Sequence, residues 1–205
     1  FNNILIYWDF YLYTWMYKNK KISAVITARM GSTRLSAKMN LKFGNDVVLG
    51  SVIKRLMQSK LIDYFILATT TNQHDDKLIS IANKYKIKTF RGDECDVLGR
   101  IFSAVTRNNP DTNIIVRACA DNPLLMPSLV DNGIASLIDN NLDVITPFEI
   151  NTLPFGFSMV SMTKECLEKI NSNTQDKLYR EHVENYCFEH SNEFNVGYQV
   201  ANIHT

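Results

Sequence analysis

From Lys21 onward, short β-branched and apolar runs alternate with longer stretches whose apolar positions recur at helical spacing. Ile22 to Thr27 reads as a strand, after which Leu49, Val52, Ile53, Leu56 and Met57 fall on one face of a helix. Tyr64 to Thr69 returns to strand. Leu78, Ile79, Ala82 and Tyr85 make the next helical stripe, opened by Asp75 and Asp76, which suit the positive end of a helix. Lys88 to Phe90 and Ile114 to Arg117 read as strands on either side of a helix lined by Val97, Leu98, Ile101, Phe102 and Val105. Pro127 sits at or near the first turn of a helix carrying Val130, Ile134, Leu137 and Ile138, where a missing N–H costs nothing. Asp143 to Thr146 and Gly156 to Met162 predict later strands, and Lys164 to Ile170 and Asp176 to His190 the last helices. This order predicts βαβ units on a mainly parallel sheet, an α/β fold. In such sheets the ligand lies beyond the carboxyl ends of the strands, so the strand-to-helix loops are where chemistry is expected.

A chain of 205 residues suggests one domain with a single core. With 45% hydrophobic and 21% charged residues, a packed fold is expected rather than disorder or a coiled coil. Lys and Arg number 22 against 21 Asp and Glu, a net charge of +1. That balance gives no general attraction for nucleic acid, so no nucleic-acid partner is expected and phosphate chemistry must come from local clusters. The four cysteines, Cys95, Cys119, Cys166 and Cys187, form no CxxC pair and read as reduced thiols of a cytoplasmic protein rather than a metal or disulfide framework. Phe1 to Tyr17 is crowded with aromatic and aliphatic residues, but Asp9 interrupts it before the ~20 apolar residues of a membrane span. No basic leader precedes it, and a secretory signal is not expected either. Residues 1–20 are read as an extension outside a core domain of 21–205, with a surface helix or a subunit contact as the alternatives.

Two loops carry the candidate chemistry. The first follows the opening strand and runs Ala28-Arg29-Met30-Gly31-Ser32-Thr33-Arg34-Leu35-Ser36-Ala37-Lys38. Gly31 lets backbone N–H groups approach an anion, and Arg29, Arg34 and Lys38 offer charge-assisted hydrogen bonds, so the loop can wrap a polyphosphate. It matches neither GxxxxGK[ST] nor GxGxxG, and a solvated basic loop is the competing reading. The second loop, Arg117-Ala118-Cys119-Ala120-Asp121-Asn122-Pro123-Leu124, places a lone carboxylate after a buried strand. Asp121 can hold a divalent cation whose other ligands come from nucleotide phosphates and water, or it can cap the turn before Pro123.

These loops, together with Ala68-Thr69-Thr70-Thr71 and Asp75-Asp76, the run Arg91 to Arg100, Val116 to Leu125 and Arg180-Glu181-His182-Val183, follow one another in order and spacing. Over Lys21 to about Val196 the chain resembles the spore coat polysaccharide biosynthesis type of cytidylyltransferase, related to the acylneuraminate and ketodeoxyoctonate (KDO) cytidylyltransferases. The resemblance implies a Rossmann-like three-layer sandwich of the nucleotide-diphospho-sugar transferase type. It also implies Mg²⁺-dependent conversion of CTP and a sugar, a sugar acid in particular, to a CMP-sugar and pyrophosphate for surface polysaccharide or glycoconjugate synthesis. By the same resemblance Arg29, Lys38 and Asp121 are the candidate catalytic residues, with Asp121 as metal ligand. The nucleotide side is expected to comprise Ala28, Arg29, Met30, Gly31, Ser32, Arg34, Lys38, Thr70, Asp76, Arg91, Asp96 and Arg117. The sugar side is expected to comprise Pro154, Gly156, Arg180, Glu181 and His182. Arg100 reads as a supporting or nucleotide-side residue, Asp96 also as a helix N-cap, and His182 also as a packing residue. Related enzymes commonly pair, which makes a homodimer an expected assembly.

The chain departs from the family at three places. Ser36-Ala37 replaces a Pro-Gly before the loop lysine, and Ser158 and Val160 stand where relatives place an Asp and a Glu after the glycine. Relatives also continue past Thr205 into a segment with a further aspartate pair, so the chain is expected to be truncated at its C-terminus. Two other functions compete on this reading: a catalytically impaired nucleotide- or sugar-binding module, and a nucleotidyltransferase with another base or a phosphosugar acceptor.

Overall fold

The computed structural model describes residues 17–31, 38–147, 154 and 156–199. Its centre is β1 (Ile22–Thr27), whose first five residues are all buried. A strand covered on both faces reads as a continuous apolar run, and ISAVIT is such a run. The hairpin β2 (Lys42–Phe43) and β3 (Asp46–Val47) follows, turned by Gly44 at φ 59°. Then come α1 (Val48–Leu56), β4 (Tyr64–Thr70), α2 (Asp76–Lys84), β5 (Lys88–Gly92), α3 (Val97–Asn108), β6 (Ile114–Cys119) and α4 (Pro127–Asp139). The remainder is β7 (Val144–Thr146), β8 (Val160–Thr163), α5 (Lys164–Asn173), α6 (Lys177–Glu181), α7 (Asn185–Glu189) and β9 (Val196–Tyr198).

The main sheet has the order β5-β4-β1-β6-β8-β7-β9. β5, β4, β1 and β6 pair in parallel, β8 runs antiparallel between β6 and β7, and β9 pairs in parallel with β7. The alternation of side chains along a strand divides the core in two. Ile22, Ala24 and Ile26 pack with Leu49, Ile53, Leu78 and Ile134 of α1, α2 and α4. Val25, Ile66 and Ile115 pack on the opposite face with Leu98, Ile101, Leu167 and Cys187 of α3, α5 and α7. The result is a three-layer α/β sandwich. Each fully buried Ile or Leu contributes about 1.5–3 kcal/mol, so both layers are needed.

Several boundaries differ from the sequence expectation, for local reasons. The strand expected at Gly156 begins only at Val160, because Gly156 takes a left-handed φ of 84° and the chain before Val160 is a turn. The helix expected over Asp176 to His190 is two short helices, broken at His182 (φ −109°, ψ 75°). Asp176 caps the first by accepting from the Leu178 N–H at 2.8 Å. Residues 1–16 lie outside the described residues, whereas Tyr17 packs against the first core layer and its hydroxyl donates to Asp139 at 3.1 Å. All four cysteines are free thiols, with the buried Cys166 and Cys187 sulfurs 3.5 Å apart.

Candidate active site

The parallel register fixes where the two candidate loops emerge. Thr27 at the end of β1 pairs with Cys119 at the end of β6, and Ala120 N–H donates to Thr27 O at 3.2 Å. Ala28 and Asp121 therefore leave the same edge of the sheet, at the point where strand order reverses about β1. A cleft of about 250 Å³ opens there. Lys38, on a short turn anchored by buried Met39, crosses it and places Nζ 2.7 Å from Asp121 Oδ2.

Around this link the cleft is rich in cations. Arg29 lies 3.6 Å from Glu94 and 3.8 Å from Glu181. Arg117 enters from β6, with Nη1 donating to both carboxylate oxygens of Glu184 at 2.6 and 2.5 Å. Burial works against the Arg117 charge, and the Glu184 carboxylate more than offsets it, leaving the pKa raised. Cys119 also lines the cleft. Burial pushes its thiol up, which keeps it protonated and a poor nucleophile. Ala28, Gly31, Glu181 and His182 complete the parts of the wall that bear on the argument.

Met30 is buried, and its N–H donates to Asp75 Oδ1 at 2.7 Å. Asp75, 1% exposed, also accepts from the Thr69 hydroxyl at 2.9 Å, the Thr70 N–H at 3.1 Å and the Thr70 hydroxyl at 2.5 Å. Burial raises its pKa, but these donors outweigh it and leave it lowered, so it remains a carboxylate that fixes the start of the cationic loop to the end of β4. The sequence places Asp75 at a helix start and within the family-like Asp75-Asp76 pair, but gives it no role at the site. The signal available was an acid five residues after a pair of strand-terminal threonines, and only the fold shows that it also reaches Met30. Glu184 was missed for a similar reason, because its partner Arg117 is 67 positions away.

Other expected residues lie beside the cleft rather than in its wall. Arg91 Nη1 pairs with Asp76 at 2.7 Å, and its Nε and Nη2 donate to the carbonyls of Thr70 and Asn72. Through these contacts Arg91 clips the ends of β4 and β5 together. Asp96 caps α3 through the Gly99 N–H at 2.8 Å and receives Nε and Nη2 of Arg180, both at 2.8 Å. Pro154 is exposed, and Gly156 sits where a Cβ would come 3.1 Å from the side chain of Asn122, next to Asp121. Ser158 and Val160 are buried, Ser158 donating to Gln199 and Val160 opposite Arg117 in the β6–β8 register. Ser32 and Arg34 lie outside the described residues.

Among the described residues there is no group of three or more His, Cys, Asp or Glu that could hold a metal ion. Asp121 offers a carboxylate in the cleft wall, as does Glu181. That donor set fits a hard cation that takes its remaining oxygens from a bound phosphate chain and water. No helix among the described residues is long and apolar enough to cross a membrane.

The charged loops meet at the strand-order reversal of a mostly parallel sheet, where open α/β folds place their ligands, and the solved structures this chain resembles assign the architecture to the nucleotide-diphospho-sugar transferase fold of nucleotidyltransferases. A family model described as cytidylyltransferase matches residues 23–204, and the chain belongs to that family. It is 37% identical over 178 residues to an uncharacterised protein of Methanocaldococcus jannaschii, covering 87% of this chain and 71% of that protein. It is 30% identical over 190 residues to the spore coat polysaccharide biosynthesis protein SpsF of Bacillus subtilis, covering 86% and 74%. A solved cytidylyltransferase structure from Leptospira borgpetersenii superposes with a TM-score of 0.84 at 31% identity, covering 90% of this chain and 77% of that one. Two more distant structures share the fold. One is a CMP:2-keto-3-deoxy-manno-octonic acid synthetase complexed with CTP, with a TM-score of 0.69, 14% identity and coverage of 89% and 90%. The other is a Mycobacterium tuberculosis protein in complex with manganese, with a TM-score of 0.64, 16% identity and coverage of 89% and 89%.

Proposed function

We propose that this cytidylyltransferase joins CTP to a sugar, a sugar acid in particular, giving a CMP-sugar and pyrophosphate for surface polysaccharide or glycoconjugate synthesis, with Mg²⁺ as the metal. The observation that carries this reading is the 2.7 Å link from Lys38 to Asp121 across a cleft lined by Arg29 and Arg117. It joins the cationic loop to an acid at the end of β6 that suits a metal. The SpsF relative, named for polysaccharide biosynthesis, supports the sugar product, and the CTP complex of the more distant structure supports the nucleotide.

In the reaction a sugar hydroxyl oxygen attacks the α-phosphorus, the bond from that phosphorus to the bridging oxygen breaks, and pyrophosphate leaves. The hydroxyl proton passes to solvent or to His182, which lines the cleft. Arg29 and Lys38 neutralise the phosphate oxygens, where charge develops in the transition state. Asp121 would hold the cation, which when bound lowers the charge on the same oxygens. Glu181 and His182 face the acceptor side, and Asp75 keeps the cationic loop in place from behind. The thiol of Cys119 takes no part, and no covalent enzyme intermediate is needed.

The test is pyrophosphate release on mixing the protein with CTP, Mg²⁺ and a panel of sugar acids, neutral sugars and sugar phosphates. Release with a sugar acid supports the reading, and release only with a sugar phosphate or with another nucleoside triphosphate replaces it. Binding of CTP, seen as thermal stabilisation, without release from any acceptor would identify a binding module instead.

A further inference from the structure

Two guanidiniums are buried beside the cleft, and they are compensated differently. Arg117 has a carboxylate of its own in Glu184. Arg100, from α3, is 3% exposed and forms no ion pair among the described residues. Its Nη1 donates to the carbonyls of Asp93 at 2.6 Å and Glu94 at 2.9 Å, its Nε is buried with no partner, and its Nη2 makes no hydrogen bond among the described residues. The nearby acids are committed elsewhere. Asp75 is filled by Met30, Thr69 and Thr70, Asp96 is held by Arg180 and the α3 N-terminus, Asp93 accepts from the Cys95 N–H at 2.7 Å, and Glu94 stands 3.6 Å from Arg29.

A buried cation without a matching anion is costly, because desolvation is not offset by a partner. Burial, and then the neighbouring Arg29 charge, lower the Arg100 pKa and outweigh the opposing pull of Asp75, Asp96 and Asp93. Arg29 and Arg100 are thus two like charges held beside one another, and Arg100 lines the same cleft as Lys38 and Asp121. Such a pair is relieved most by a group carrying more than one negative charge, and a diphosphate meets that better than a single carboxylate. The two backbone carbonyls fix the guanidinium plane through Nη1, which leaves its other edge for the ligand.

We infer that Arg100 is a substrate-binding residue, holding with Arg29 the phosphate oxygens that leave as pyrophosphate. The identity of that anion rests on the proposed transfer from CTP, whereas the anion-binding role rests on the unmatched buried charge.

The test is equilibrium binding of inorganic pyrophosphate, CMP and a sugar acid to the whole protein with Mg²⁺ present, for wild type, Arg100→Met and Arg100→Lys. Arg100→Met is expected to weaken pyrophosphate about tenfold or more, as for loss of a charged hydrogen bond, with CMP and the sugar acid changed less than about twofold. Arg100→Lys keeps the charge but not the planar fork and is expected to fall between the two. Pyrophosphate affinity within about twofold of wild type in a folded Arg100→Met overturns the inference. So does a loss confined to the sugar acid, which would make Arg100 a carboxylate reader, and so does a wild type that binds no pyrophosphate. If Arg100→Met does not melt cooperatively, Arg100→Lys decides: a weaker pyrophosphate complex at an unchanged melting temperature supports the role, and an unchanged one overturns it. A wild type that loses pyrophosphate affinity on Arg100 substitution yet never releases it from CTP would sink the proposed reaction and leave this inference standing.

Discussion

The two halves of the sheet deliver residues to the cleft by different routes. In the parallel half, β5-β4-β1-β6, every strand ends at the same edge, so loops far apart in sequence meet there. Lys38 and Asp121 are 83 positions apart and make a 2.7 Å contact. In the other half β8 runs backwards, and with Val160 paired to Arg117 it is the start of β8 that lies at the cleft edge. The turn around Gly156 therefore arrives beside Asn122, held by the Met126 N–H donating to Phe157 O at 2.7 Å. The parallel half assembles charge, and the mixed half shapes the neighbouring wall with small and neutral groups. The segment bearing Glu181 and His182 belongs to neither half. It is tied to the central strands through Glu184 and Arg117, and to α3 through Arg180 and Asp96.

Perturbing those ties tests the division. The largest effect is expected for Glu184→Ala, which leaves Arg117 buried and unmatched, at a cost of about 3–5 kcal/mol in chemical denaturation. Replacing both partners by apolar residues of similar volume should recover most of that loss. A small effect of the single change would mean that the pair does not anchor the α6–α7 segment.

Next in size is Lys38→Ala, expected to slow pyrophosphate release about 10²-fold, by analogy with removal of one donor to developing charge. Its melting temperature should stay near wild type, since Lys38 is at the cleft and outside the core. Asp75→Ala strands the buried N–H groups of Met30 and Thr70, which should cost about 1–3 kcal/mol. Faster hydrogen exchange should then appear at Met30 but not at Glu181, confining the damage to the parallel half.

Smaller again is Asp96→Ala, which removes the α3 cap and the Arg180 partner. About 1 kcal/mol is expected from the cap, with a CTP affinity that changes less than the stability. An unchanged stability with a lost CTP affinity would instead make Asp96 a direct ligand.

The smallest effect concerns pH. Asp46 is held at about 2: burial would raise its pKa, but the Lys54 ammonium at 2.6 Å and the Tyr85 hydroxyl outweigh it. A carboxyl whose folded pKa lies below the unfolded value of about 3.9 contributes stability that is fully present above pH 4 and is lost as pH falls toward 2. Solvent screening limits it to about 1 kcal/mol or less. Denaturation midpoints of Asp46→Asn against wild type should converge over that window and differ above it.

Much of the fold was legible because burial on both faces imposes continuous apolar runs. The strand Ile22–Thr27 and the stripes of α1 and α3 match their periodicity closely. The hairpin at Lys42–Val47 was not legible, since two-residue strands carry no period, and the late helix was read as one because its break at His182 has no glycine or proline. At the site, Arg29, Lys38 and Asp121 could be picked out as charges in strand-end loops, and the structure brings them to one cleft. Which side chains flank that cleft instead was not legible: Arg91 and Asp76 carry opposite charges 15 positions apart, as do Arg180 and Asp96 84 positions apart, and the sequence contains no record of either pairing.

By itself the amino-acid sequence determined the alternation of strand and helix and the two charged loops, because each follows from local periodicity and turn chemistry. Only the tertiary structure decided which charges are matched. Whether a buried guanidinium finds a carboxylate among the described residues, as Arg117 does and Arg100 does not, depends on groups brought together across the sheet, and electrostatic cost is set by distance in space.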